Sequence, residues 1–280
     1  MAGGLSKAGW LGFAKPLPRP LAILLAALPF ILLLVAYLYF SDARLEANPA
    51  DKLMPSFQKM GATLMRYALE EDPRTGARLL ATDWLASMKR MGMGLGLSAL
   101  AGLIIGVATG LFPYLRAFFM PFVTFWSIVP PLAILPILFI VFGVGEGGKI
   151  AILFLGTVWF IARDIHDYVR AIPNEQIVKA LSFNASLCGL LRRIILPQVM
   201  PRLIDAVRMS LGAAWLFLIA AEAIASTDGL GYRIFLVRRY LAMDVIIPYV
   251  GVITLTGFML DIALRRWVAW RHEWYEARRR

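Results

Sequence analysis

The sequence predicts an all-α membrane protein with six transmembrane helices, and three observations point there. Of its 280 residues 60% are hydrophobic and only 17% charged, with a mean hydropathy of +0.70, whereas soluble domains average nearer ~45–50% apolar. The excess is gathered in blocks of about twenty residues, the length a helix needs to cross a bilayer. The net charge of +11 collects beside those blocks, where lipid headgroups and the positive-inside rule account for it, so no nucleic-acid partner is expected. The single cysteine, Cys188, excludes an internal disulfide. His166 and His272 share no ligand spacing, so no histidine-based metal site is expected on this chain.

The elements follow in order. Residues 1–20 are basic and broken by Pro16, Pro18 and Pro20, and read as a cytoplasmic segment. Leu21–Phe40 is an uncharged run of twenty residues. It is longer than a signal-peptide core and no small-x-small cleavage site follows, so it reads as a retained first span. Residues 41–83 read as an extracytoplasmic segment. Within it Leu53, Phe57, Met60, Leu64 and Tyr67/Ala68 recur at helical spacing, giving one apolar stripe about twenty residues long. The stripe suits either a helix on the membrane surface or one packed on the next span; Glu70–Gly76 ends it as a turn.

The second span, Met91–Phe112, carries small residues four apart: Gly94, Ser98, Gly102, Gly106 and Gly110. They share one helix face, and in lipid close backbone packing of that kind holds helices together. The interface lies either within one subunit or between two. Pro113–Arg116 reads as a tight turn. The third span, Phe118–Phe142, holds Pro121, Pro130, Pro131 and Pro136, and is either a bent helix or a broken one lining a pathway. Gly143–Ile150 (GVGEGGKI) mimics a phosphate loop, but Ile150 stands where a magnesium-holding Ser or Thr belongs, and it reads as a turn between spans.

The fourth span, Ala151–Ile165, ends in charges: Arg163, Asp164, His166, Asp167, Arg170. A polar, basic island, Pro173–Pro201, follows and is closed by prolines. The fifth span, Ala206–Ala225, contains Glu222, an intramembrane carboxylate. Such a group is a functional candidate by default, and here serves either the substrate or a structural partner. A polar re-entrant stretch from Ser226 precedes the sixth span, Val245–Leu264. In that span Asp261 is expected to pair with Arg265 four residues on. The basic tail is residues 268–280. With both termini inside, the inner segments hold most of the 29 Lys and Arg residues, which favours N-in, C-in and places the island in the cytoplasm.

From about Trp84 to Trp267 the chain resembles the membrane-spanning permease of bacterial ATP-binding-cassette (ABC) importers, of the nitrate/sulfonate/taurine/bicarbonate group. That group's cytoplasmic loop carries E-A-A-x3-G-x9-I-x-L-P, matched here by Ala180, Ile194, Leu196 and Pro197. Val178-Lys179 replace the Glu-Ala and Asn184 replaces the glycine. Asn is the next most tolerant residue where φ is positive, so the turn can survive. Ser127–Glu146, Leu211–Glu222 and Asp228–Ile234 match in the same order. The stretch from Leu196 to Val250 more closely resembles a subgroup found with urea-carboxylase-type genes, which would suggest urea or guanidinium-like substrates.

The resemblance implies a type I importer permease fold over residues 84–267, with the 173–201 loop as coupling element. It implies a second, identical permease subunit, a cytoplasmic ATPase dimer that holds ATP and magnesium, an extracytoplasmic substrate-binding protein, and a bacterial inner membrane location. The chain itself is then no enzyme. Coupling would fall to Lys179, Ala180, Asn184, Ala185, Ser186 and Leu187, and the pathway to Trp126, Ser127, Pro130, Pro131, Asp164, Trp215 and Glu222. An anionic substrate would give weight to Arg163 and Arg208, a cationic one to Glu222 and Asp164. The competing reading is a secondary transporter or channel, which has no need of the loop.

Overall fold

In a computed structural model, which describes residues 18–73 and 76–277, the chain is helical, with no strand among the described residues. Residues 1–17 of the expected N-terminal segment and 278–280 of the tail lie outside the described residues. The chain divides into two units at Lys59/Met60.

In the first unit α1 (Arg19–Ala47) extends the expected span at its end by seven residues and tolerates Pro29. The segment after it folds back along its last turns: Tyr37 Oη donates to the Pro55 carbonyl at 2.7 Å, Ser41 Oγ to that of Met54 at 2.9 Å, and Arg44 pairs with Asp51. The amphipathic helix is α2 (Phe57–Leu69), thirteen residues long. It is shorter than its apolar stripe, because Leu53 lies before it in irregular chain.

The second unit continues with α3 (Leu79–Leu111), α4 (Pro113–Ile128), a 3₁₀ turn (Pro131–Ile134), α5 (Leu135–Phe142) and α6 (Glu146–Arg170). Then come α7 (Asn174–Ser182), α8 (Leu187–Leu190), a π-helical turn (Leu191–Ile195), α9 (Leu196–Ile224), α10 (Leu230–Arg238), α11 (Met243–Arg271) and α12 (Glu273–Ala277). Within this unit the α2 residues Met60 and Thr63 are buried. Thr63 Oγ1 donates to Asp244 Oδ2 at 3.1 Å and Tyr67 meets Tyr249 edge-on at 6.1 Å, so this part of α2 packs against the start of α11.

The small-residue ladder is the seam between α3 and α6, inside one subunit. A Cβ on Gly102 would stand 2.7 Å from Ile161 Cγ2, on Gly106 2.6 Å from Ile165 Cβ, and on Gly110 2.7 Å from Val169 Cβ. Between these, Thr157 Oγ1 donates to Ser98 Oγ, 59 positions earlier, at 2.8 Å. The same offset holds at every rung, so α3 and α6 are parallel and in register. Parallel helices require the intervening chain to run back the length of the seam. From the level of Leu111 to that of Ser87 this is about 36 Å at 1.5 Å per residue. The return is α4 and α5, bent by 87° at the break between them.

Four helical stretches among the described residues are long and apolar enough to cross a membrane: α1, α3, the continuous run from α8 through α9, and α11. The bent α4–α5 pair makes a fifth. α6 falls short on composition because Glu146, Lys149, Arg163, Asp164, Asp167 and Arg170 all lie within it.

Several expected boundaries move. α3 begins at Leu79, twelve residues before Met91. Pro113–Arg116 is the first turn of α4 and not a separate turn, since proline at a helix start costs no hydrogen bond. Gly143, at φ +78, makes the real turn, and the helix resumes at Glu146. Pro201 does not close the island; it lies inside α9. The π-helical turn just before α9 loosens the ladder where Pro197 removes a donor.

Candidate functional site

Three groups of residues carry candidate chemistry, and the fold places them at different levels. The first is the loop between α6 and α9. Pro173 caps α7, and Ser186 Oγ caps α8 by accepting the Gly189 N–H at 3.2 Å. Between the two helices Asn184 sits at φ 56, the left-handed geometry expected of the residue standing for glycine. Ala185 N–H closes the turn on the Ala180 carbonyl at 3.0 Å. Leu190 is buried with Ile195 beneath, and Ile177, Ala180 and Ile194 pack on that cluster. Val178, Leu181, Phe183 and Leu187 instead point outward, Phe183 being 87% exposed. The loop is thus rooted on one apolar face and offers a second, bare one, with Lys179 beside it.

The second group is a cavity of about 340 Å³ at the broken helix, where Val129 and Pro131 form part of its wall. Trp126 and Trp159 stack at 6.4 Å on one side, and Ser127, Arg163, Asp164 and Asp167 add the polar surface. Asp164 is already bound to Arg202 of α9, through Nε at 2.7 Å and a second contact to Nη2. Arg163 and Asp167, one helical turn apart, have no ion-pair partner among the described residues. Of the pathway candidates, Trp126, Ser127, Pro131 and Asp164 meet here. Pro130 is exposed outside the cavity, and Trp215 is buried against Gly257 with its indole N–H unpartnered.

Glu222 belongs to the third group, at the opposite end of the bundle from the loop. It is fully buried, and its carboxylate accepts from Ser87 Oγ at 2.8 Å, Arg90 Nη1 at 2.8 Å and Gly231 N–H at 2.8 Å. Gly229, at φ +114, leaves no room for a Cβ beside it. Arg90 also binds Glu146 through two nitrogens at 2.7 Å, the Asp228 carbonyl at 3.0 Å and the Asp228 carboxylate. Lys149 Nζ, far from any phosphate-loop role, reaches Glu146 at 2.9 Å and Ser226 at 3.0 Å. Next to this cluster buried Asp83 takes Arg233 at 2.8 Å and the Tyr249 hydroxyl at 3.1 Å. Glu146 lies outside the spans; the Arg90 guanidinium, ahead of Lys149, holds its carboxyl down at about 2.

Comparison with known proteins decides what this arrangement belongs to. Residues 98–271 match the family described as "Binding-protein-dependent transport system inner membrane component". The chain belongs to that family. It is 36% identical over 188 residues to the taurine transport system permease protein of Escherichia coli, covering 66% of this chain and 68% of that one. To the bicarbonate transport system permease protein of Synechococcus elongatus it is 30% identical over 194 residues, 68% of this chain and 67% of the other. In fold it is similar to a chain of the inward-facing MetNI methionine ABC transporter, with a TM-score of 0.57, 19% identity, and coverage of 65% and 91%. A chain of an amino acid ABC transporter gives 0.58, 14%, and coverage of 76% and 97%.

The protein is therefore an ABC importer permease of the inner membrane, a multi-pass subunit and not an enzyme, with the type I importer fold. It works with a separate ATPase and a substrate-binding protein. Family membership removes the secondary transporter or channel reading. In this permease the sequence reading passed over Arg90, because Lys89-Arg90 look like a charged flank before an apolar block. Its partner Glu222 is 132 positions away, and no local pattern reports that distance. It also missed Trp159. Asp261 does not depend on Arg265: it accepts from Arg208 Nε at 2.8 Å, while Arg208 Nη1 holds Asp205 at 2.7 Å. A guanidinium on the facing helix outcompetes one on the same helix because it also satisfies a second, buried carboxylate.

Proposed function

We propose that two identical copies of this permease form the pathway of an importer for a small zwitterion bearing an acid group, and that the 173–201 loop receives the stroke of a cytoplasmic ATPase dimer. The observation that carries the reading is the bare apolar face of the loop around Asn184, at one end of the bundle. Lys179, Ala180, Asn184, Ala185, Ser186 and Leu187 lie at or beside it. ATP and magnesium are held by the partner, and no cofactor is needed here. Six crossings, with both termini and the loop inside, are supported by the parallel α3–α6 seam. α6 covers the same depth as α3, and the broken pair must return between them.

The cavity supports the substrate class. Arg208, Glu222 and Asp164 are each held by protein partners, which leaves Arg163 to meet an acid group and Asp167 to meet an amino group. The stacked tryptophans give an ammonium a π face. Taurine, the substrate named for the Escherichia coli relative, has this chemistry; nitrate, bicarbonate and guanidinium each use only half of it. The test is uptake by the reconstituted complex with its binding protein. Taurine transport is expected to fall at least tenfold in Arg163→Gln, about the loss of one charge-assisted contact of ~1.5–3 kcal/mol, with ATPase coupling intact. Unchanged taurine uptake, or faster uptake of guanidinium, overturns the substrate reading. Leu187→Asp is expected to abolish transport-coupled ATPase activity without unfolding the permease, and undiminished coupling there overturns the loop reading.

A further inference from the structure

The last dozen residues read in sequence as a basic tail, and transport as proposed makes no use of them. α11 ends at Arg271, His272 interrupts the helix, and α12 packs against α9. Tyr275 is buried with Ile204 and Val268, and its hydroxyl donates to Asp205 Oδ2 at 3.0 Å. Asp205 is itself buried and held by Arg208. A helix of five residues has no stability of its own, so this anchorage fixes where Trp274 lies. Trp274 forms one wall of an open groove of about 590 Å³, and the other walls come from the 173–201 loop, with Lys179, Phe183, Arg193, Pro197 and Gln198 among them. Trp274 is 41% exposed. Two aromatic faces and two cations thus frame an apolar floor.

We propose that α12 is a second wall of the ATPase docking surface, and that the groove takes a bulky apolar side chain of the ATPase flanked by carboxylates. The proposal rests on the reading that the loop docks the ATPase. Two features select that occupant. The groove is continuous with the bare face of the loop at Phe183, and Lys179 and Arg193 at its rim call for acidic counterparts. Apolar anchors seated in such pockets dominate interface energetics. Tyr275 is a positioning residue that acts through Trp274.

The experiment uses the whole complex in lipid nanodiscs. In a Cys188→Ser background, Trp274→Cys carrying a photoreactive label is expected to cross-link to the ATPase subunit; adducts to lipid alone overturn the proposal. Trp274→Ala is expected to weaken ATPase binding about tenfold with the permease's melting temperature unchanged, and wild-type affinity there overturns it. Tyr275→Phe, which keeps the ring and loses the Asp205 bond, is expected to weaken binding about threefold; no change removes the positioning role. Leu187→Asp separates the two readings. If it releases the ATPase while Trp274→Ala does not, the tail proposal alone fails; if neither does, the loop reading fails with it.

Discussion

The two ends of this bundle are built on opposite rules. At the end away from the loop, charges are consumed by one another: buried Arg90 is shared by buried Glu222 and the partly exposed Glu146 and Asp228, and buried Asp83 holds Arg233. At the loop end, apolar side chains that could have been covered are left bare, Phe183 and Leu187 above all. The first arrangement ties α3, α6, α9 and the turn before α10 together through ion pairs. The second leaves surface that only a partner can bury. A single hydropathy profile hides this difference, because both ends read as mixed polar flanks of apolar blocks.

The largest expected effect breaks the sealed end. Arg90→Ala leaves three carboxylates without their common cation, Glu222 among them at full burial, and an unpaired buried charge costs about 3–5 kcal/mol. Little folded permease should reach the membrane, and what does should melt well below wild type in detergent. Glu222→Gln keeps an oxygen for Ser87 and the Gly231 N–H, so its loss should be smaller, about 1–3 kcal/mol. Melting of Arg90→Ala at the wild-type temperature would show that the sealed end does not hold the fold.

Next in size is the seam that joins the two ends. Gly106→Val places a branched side chain where a Cβ alone already comes within 2.6 Å of Ile165 Cβ and 2.8 Å of the Ala162 carbonyl. Overpacking of this kind costs about 1–3 kcal/mol, and melting should fall accordingly. Gly96→Val, on the same helix but with nothing near its Cβ, should melt close to wild type. At the loop end, Asn184→Val forces a β-branched residue to φ 56, a local cost of about 1–2 kcal/mol. Here coupled ATPase activity should drop while the melting temperature of the bundle stays near wild type.

What was legible in the sequence follows the same division. The ladder from Gly94 to Gly110 could be read because helical period and residue size are local facts, and the turn at Asn184 because positive φ has a short list of occupants. The prolines at 130 and 131 marked where the third span would bend, but residue type left a bend and a break equally open, and the structure shows a break with a bend of 87°. Choice of partner was not. Asp261 and Arg265 satisfied a sound local rule, yet Arg208 on another helix had more to offer. Arg90 and Glu222 each looked like an isolated residue until the fold joined them. Pro201 misled because a proline usually ends a helix, whereas α9 carries it in its second turn. Tyr275 was invisible because its anchor, Asp205, lies 70 positions away, a distance no local pattern reports.

The smallest effect separates the ends by pH. Glu146 is held at about 2, mainly by Arg90, against an ordinary value of 4.5. Its contribution to stability is therefore complete above 4.5 and is lost as pH falls through that value toward 2. The sealed end should show the same hydrogen-exchange protection at pH 7.5 and 5.5. At the loop end, burial and then Arg271 push His272 below its ordinary 6.5. The unfolded or detached tail takes up a proton more readily than the docked one, so docking weakens as pH falls from 6.5. From pH 7.5 to 5.5, protection factors (exchange corrected for its intrinsic pH dependence) should fall in residues 268–277 and stay unchanged at Ser87, Arg90 and Glu222. His272→Gln should remove the pH dependence of the tail alone, since glutamine has no proton to gain. Equal loss of protection at both ends, or a tail still sensitive in His272→Gln, would mean that the titrating group lies elsewhere.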